Sequence, residues 1–343
     1  MSTNEAALIV GAGPIGLACA IAARRRGLDA LLIDAGAIAE SIARYPVGMT
    51  FFTTPERLEI GGHPLACTGA KPTREEALMY YRGVARAEGL RVRPYTRLVG
   101  AERTAEGVRC RLERTLGERR SEALTCERLV LATGYFGNPN LLGVPGEDLP
   151  HVSHYPEEAH RLAGLDVVIV GAKNSAIELA LGAFRSGARV TVIHRGEALK
   201  PSVKYWLRPD FENRVKAGEI AARWNSVVED ISPGDIAVRG PAGPERLRAD
   251  RVFLLTGYHP DFDLLRSIGI TLDPETGRPA HDPLSLETNV PGVHIAGSLS
   301  AGRFISEVFI ENGRFDGERI FGDSQGRSRA QSELKRVDRP VGE

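Results

Sequence analysis

The chain has 343 residues, 42% hydrophobic and 26% charged, which suits two cores better than one. Lysine plus arginine and aspartate plus glutamate both number 44, so no net field draws nucleic acid or an anionic membrane surface. No apolar run reaches the roughly 18 residues of a membrane span and Met1 to Glu5 lack the order of a secretory leader, so a cytoplasmic, membrane-free protein is expected.

The apolar run Ala6 to Val10 leads into Gly11, Ala12, Gly13, Pro14, Ile15 and Gly16, followed by a helical stretch to Arg26 closed by Gly27. A second apolar strand from Ala30 ends on Asp34 and Ala35, about 20 residues beyond Gly11, the spacing of a dinucleotide-binding βαβ unit. Gly11 permits the tight turn, Gly13 lets backbone approach a pyrophosphate, and Gly16 lets helix and strand pack closely. The helix N-terminus then faces the anion, and Asp34 is placed to accept hydrogen bonds from ribose hydroxyls.

Segments from Gly100 to Cys126 alternate as an antiparallel hairpin or meander that should cover one edge of this domain. Leu129 to Leu131 form a strand that runs into the turn Ala132, Thr133, Gly134, with Tyr135 beyond it. Pro139, Pro145, Gly146 and Pro150 make a breaker-rich bridge, the first expected domain boundary. The βαβ pattern then returns as Asp166 to Val170, Gly171, Ala172, Lys173, Asn174, Ser175, Ala176, a helix closed by Gly187, and the strand Arg189 to Ile193. Lys173 stands where the middle glycine would be and must turn its side chain away from the ligand. The terminal acid is replaced by His194 and Arg195, a cationic end that favours the 2′-phosphate of NADPH, with Lys200 and Lys204 as further candidates.

Val252 to Leu255 repeat the strand and threonine-glycine turn at Thr256 and Gly257, and a return linker is expected near His259 to Phe262. A last strand enters the turn Gly297, Ser298, with a helix expected over 305–312. The polar tail beyond Phe321, with Arg327, Arg329, Lys335 and Arg336, suits a solvated helix or a disordered end. The four cysteines have neither C-x-x-C nor metal-ligand spacing, so no metal site is expected. Cys19 belongs to the core of the first helix, Cys110 and Cys126 to the hairpin, and Cys67 to an open loop beside Lys71 that would lower its pKa.

These motifs, with Tyr45-Pro46, Phe51-Phe52-Thr53, Ile60-Gly61, Tyr80-Tyr81-Arg82, Pro201 to Trp206 and Phe309 to Gly313, resemble the low-molecular-weight thioredoxin reductase-like flavoproteins, most closely the bacillithiol disulfide reductases. The resemblance implies an α/β fold of two Rossmann-like, three-layer (ββα/βαβ) domains. FAD would lie on residues 1–150 and 260–343, and NADPH on an inserted domain at 151–259, commonly in a homodimer or homotetramer. Phe52, Thr53 and Tyr135 become candidates for packing beside the flavin. The thioredoxin reductases of this class carry a C-x-x-C pair before the second glycine motif, which this chain lacks, and the bacillithiol enzymes a cysteine where Ile15 stands. Reduction of a small disulfide, electron transfer to an acidic ferredoxin or flavodoxin, and a non-enzymatic flavin sensor therefore stay open, with no catalytic residue assigned.

Overall fold

The computed structural model describes residues 3–304 and 307–337. Strand β1 (Thr3–Val10), helix α1 (Pro14–Arg25) and strand β2 (Leu31–Ile33) form the first βαβ unit. Helix α2 (Arg74–Ala87) follows, then β3 (Arg91–Arg93) and the antiparallel run β4 (Thr96–Thr104), β5 (Gly107–Arg114) and β6 (Ser121–Leu131). The middle of the chain supplies β7 (Val152–Ser153), β8 (Asp166–Val170), α3 (Asn174–Arg185), β9 (Arg189–Ile193), α4 (Arg208–Lys216) and β10 (Ala221–Arg223). A meander follows, β11 (Val227–Ser232), β12 (Gly234–Gly240) and β13 (Gly243–Ala249), and then β14 (Arg251–Leu254). The chain ends with β15 (Val293–Ile295), α5 (Asp316–Phe321) and α6 (Ser324–Val337).

Two compact units emerge, one from residues 1–43, 53–138 and 258–343, the other from 44–52 and 139–257. In the first, the sheet order is β3-β2-β1-β6-β5-β4, with β15 also on β6. The eleven residues of β6 serve two purposes: Ser121 to Cys126 pair antiparallel with β5, while Leu129 to Leu131 pair parallel with β15. Leu98, Val108, Cys110 and Leu112 share a core with Leu8, Val10, Leu31 and Ile33, so the meander covers a face of the parallel strands rather than an edge alone.

The second unit has an all-parallel sheet, β10-β9-β8-β14-β7, and a separate antiparallel sheet β11-β12-β13. Successive residues of β8 alternate between two cores, as a strand buried on both faces must. Val167 and Ile169 meet Ile177, Ala180 and Phe211, whereas Val168 and Val170 meet Val228, Ile236 and Val238 of the meander. The helix expected over 305–312 is shorter in the structure: a 3-10 turn spans Gly297–Ala301 and a single helical turn Ile310–Gly313, and positions 305 and 306 lie outside the described residues. The polar tail is helical as α6, although the side chain of Arg336 is outside the described set.

Candidate functional sites at two nucleotide cradles

The first cradle is dictated by three close approaches. Gly11 has φ +109°, and a Cβ there would lie 2.3 Å from the carbonyl oxygen of Ala132, so only glycine fits. At Gly16 a Cβ would fall 1.8 Å from the Gly11 oxygen, which seats α1 hard against the turn. Gly13, by contrast, has nothing within 4 Å of its Cβ position, and this open space lies at the N-terminus of α1. That helix begins with no side-chain cap and no acid in its first turn, an N-terminus suited to an anion.

Around this turn the expected residues converge. Asp34 accepts the Ala12 amide at 2.7 Å through one oxygen and the Gly36 amide at 2.8 Å through the other. Both carboxylate oxygens are thereby fixed at the strand end, the position from which this fold meets a ribose. The Ala35 carbonyl accepts from Thr115 Oγ1 at 2.6 Å, which fixes the strand end. Gly134, at φ +65°, would bring a Cβ within 3.8 Å of Ser298 Oγ, so the turn after β6 and the turn after β15 face each other. Burial pushes the Tyr135 hydroxyl pKa up. Thr133 and Thr53 are half-buried. Open space at Gly13, uncapped amides and a terminal acid fit the dinucleotide of FAD.

Ile15 reaches across the same site. Its Cδ1 lies 2.6 Å from where a Cβ would stand on Gly297 and on Gly313, so both must be glycine to admit it. The position at which the resemblance implies a cysteine is filled by a packed hydrocarbon. Beneath it lies a residue that sequence reasoning missed. Asp316 is 3% exposed, accepts the Gly297 amide at 2.7 Å and the Arg319 guanidinium at 2.8 Å, and burial raises its pKa. The available signal was an acid one helical turn before an arginine, in a segment that closes on Ile320 and Phe321.

The second cradle repeats the first turn only. Gly171 has φ +138° and would place a Cβ 2.4 Å from the Leu255 oxygen. Ala176 packs beside it, Lys173 is exposed, and α3 also starts with neither side-chain cap nor acid. Ser175 is half-buried at this start. Asn174 instead anchors the loop after β9, accepting the Lys204 amide at 2.8 Å and donating to the Ser202 carbonyl at 3.2 Å. His194 follows β9, with Nε2 buried and without a hydrogen-bond partner, and burial, then Lys200 and Arg195, lower its pKa. Gly257, at φ +98°, is held by Asn140, whose amide donates to the Gly257 carbonyl at 2.9 Å. A cationic strand end with a buried, unsatisfied imidazole nitrogen fits the phosphorylated ribose of NADPH.

Two expectations are corrected. Lys204 does not join the phosphate patch: it is 9% exposed and pairs with Glu178 Oε1 at 2.5 Å. Phe52 stacks on Trp206 in the second unit. Cys67 has a raised pKa, from desolvation and then from Glu76 and Glu56, so its loop is acidic toward the thiol. Cys19, Cys110 and Cys126 are fully buried, and burial with Asp316 nearby pushes the Cys19 thiol well up. Among the described residues no cluster is placed to hold a metal ion, and no helix is long and apolar enough to cross a membrane.

The family model of the pyridine nucleotide-disulphide oxidoreductases matches residues 8–297. The chain is 42% identical to bacilliredoxin reductase Bdr of Bacillus subtilis, over 92% of this chain and 96% of that one. The solved structure of the bacillithiol disulfide reductase Bdr of Bacillus cereus matches with a TM-score of 0.89 at 38% identity, covering 97% of this chain and all of the other. A ferredoxin–NADP reductase of Ignicoccus hospitalis is 27% identical over 86% of this chain and 90% of its own.

Proposed function

Since the chain belongs to the pyridine nucleotide-disulphide oxidoreductase family, in its bacillithiol disulfide reductase branch, and is an FAD-dependent oxidoreductase using NADPH, we propose that it reduces a small disulfide of the bacillithiol type. One NADPH and one proton would convert one disulfide into two thiols and NADP⁺. The observation that carries this is the pair of cradles in one chain, acid-ended at Asp34 and cation-ended at Arg195. Bound flavin supplies a two-electron relay between NADPH and the acceptor.

In this proposal the first unit holds FAD through Gly11, Gly13, Pro14, Gly16 and Asp34, with Gly134 and Ser298 on the facing rim. The second holds NADPH through Gly171, Ser175, Ala176, His194, Arg195 and Lys200. Ile15 excludes a thiol from the family position, so the disulfide would be reduced without a mixed disulfide at residue 15. A cytoplasmic homodimer or homotetramer completes the assignment.

Anaerobic stopped-flow spectroscopy tests it. NADPH should bleach the flavin band, and bacillithiol disulfide should restore it at a rate unchanged by Cys19→Ser or Cys67→Ser. Restoration only by a ferredoxin or flavodoxin would overturn the disulfide assignment. The same Ile15 favours this second reading, because delivery to an acidic carrier protein needs no thiol. No bleaching at all would sink both and leave a flavin-bearing sensor.

A further inference from the structure

The loop that follows β9 is seated on the nucleotide helix by side chains that have no counterpart in the first unit. Asn174 and Glu178 stand one turn apart on α3 and so share a face. Asn174 Oδ1 accepts the Lys204 amide at 2.8 Å, and its Nδ2 donates to the Ser202 carbonyl at 3.2 Å. Lys204 Nζ donates to Glu178 Oε1 at 2.5 Å, with both side chains nearly buried. The matching positions of α1 are Pro14 and Ala18, neither of which has a polar side chain to offer.

Between strand and tie the loop carries Lys200. Leu199 and Val203 share a core with Ala172, Ala176 and Ile177, whereas Lys200 is exposed. Its backbone is held loosely, since its amide reaches the Ala172 carbonyl only at 3.5 Å, longer than an ordinary hydrogen bond. After burial, Lys200 is the foremost influence that lowers the His194 pKa, ahead of Arg195, so its ammonium faces the imidazole at the strand end. A nearly buried ion pair is a poor source of stability, because apolar side chains of similar size would serve the packing as well. What the pair adds is direction: with Asn174 it admits one register of the loop, and that register sets where Lys200 stands.

We infer that Asn174, Glu178 and Lys204 are positioning residues for coenzyme selection, holding the loop so that Lys200 is presented to the 2′-phosphate of NADPH. Their side chains are turned to the loop and not to the coenzyme. The inference rests on the placement of that phosphate at His194, Arg195 and Lys200.

Anaerobic flavin reduction of the FAD-loaded enzyme at rising NADPH or NADH gives an apparent dissociation constant and a limiting rate for each coenzyme, and a double-mutant cycle with Lys200→Ala separates positioning from mere structure. Lys200→Ala should weaken NADPH about tenfold and NADH hardly at all. Glu178→Met with Lys204→Met, which removes both charges and strands neither, should weaken NADPH by about threefold to tenfold, leaving its limiting rate and the NADH constant unchanged. In the Lys200→Ala background the same two changes should add nothing, because no ammonium remains to be placed. Asn174→Ala, which alters no charge, should follow the same pattern. A further weakening of NADPH in the Lys200→Ala background, equal weakening of both coenzymes, or no change in the Met variant and in Asn174→Ala would overturn the inference while the NADPH site stands. Unchanged NADPH binding in both Lys200→Ala and Arg195→Ala would overturn the placement of the phosphate, and the inference with it.

Discussion

In the first unit the Gly11 amide donates to Ile33 at 2.8 Å and the Ala132 amide to Val10 at 2.8 Å; in the second, Gly171 donates to Ile193 at 2.9 Å and Leu255 to Val170 at 2.8 Å. The two turns close through equivalent bonds although the second keeps only the first glycine of the motif. That glycine is required by the fold, since in both units its φ is positive and its missing Cβ would strike a strand-end carbonyl. The remaining positions answer to the ligand and to how tightly the helix seats. Gly16 permits contact with the Gly11 carbonyl, whereas Ala176 fills the matching gap with a methyl group. Cap chemistry separates both nucleotide helices from α2, whose Thr73 and Glu76 satisfy each other's backbone amides in a capping box. A helix that closes its own N-terminus has none to offer an anion.

The sharpest break of this comparison is Gly16→Ala against Ala176→Gly. The first forces a methyl group into a backbone carbonyl and should cost at least about 3 kcal/mol, with most of the flavin lost from the purified protein. The second should cost about 1 kcal/mol and leave the NADPH Michaelis constant unchanged. Flavin content per protein and thermal melts read both, and equal tolerance would show that the cradles do not differ in helix seating. Next in size, Arg195→Ala should raise the Michaelis constant for NADPH by about tenfold or more, as expected for a lost charge-assisted hydrogen bond, and that for NADH hardly at all. An equal rise for both coenzymes would place Arg195 away from the 2′-phosphate.

Asp34→Ala should cost about 1–3 kcal/mol by stranding the Ala12 and Gly36 amides, visible as a melting point lowered by several degrees. A melting point that did not move would mean that water replaces the carboxylate without loss. The smallest effect is on pH dependence. His194 and His294 have pKa values held below the ordinary 6.5, chiefly by burial, so the native state binds fewer protons than the unfolded chain just below that pH. Stability should therefore fall as pH drops below about 6.5, and His294→Asn should flatten that slope in denaturant titrations at pH 7.5 and about 5.5. An unchanged slope would assign the acid sensitivity elsewhere.

The glycine turns, Asp34 and the cationic end of β9 were legible in the sequence because each follows an apolar strand at the spacing of a βαβ unit. Lys204 was misjudged for the opposite reason: its partner Glu178 is on another element, and a lysine near a cationic strand end looks the same whether paired or free. The stack of Phe52 on Trp206 left no trace in the sequence either, since it joins distant positions. Asp316 was hidden because an acid near a helix start ordinarily reads as solvated, and only its depth beneath Gly297 reveals its role. The meander β11-β12-β13 left a fainter trace, the alternation around Ile236 and Val238, which its charged outer face diluted.

The grouping of residues 44–52 with 139–257 bears on how such a chain could be taken apart or inherited. A fragment cut at 139 and 257 would lose the segment that carries Phe52, and a gene rearrangement that exchanged only the contiguous block would pair a foreign nucleotide unit with a resident segment. The second unit of such a recombinant would have two parents, one for residues 139–257 and another for residues 44–52.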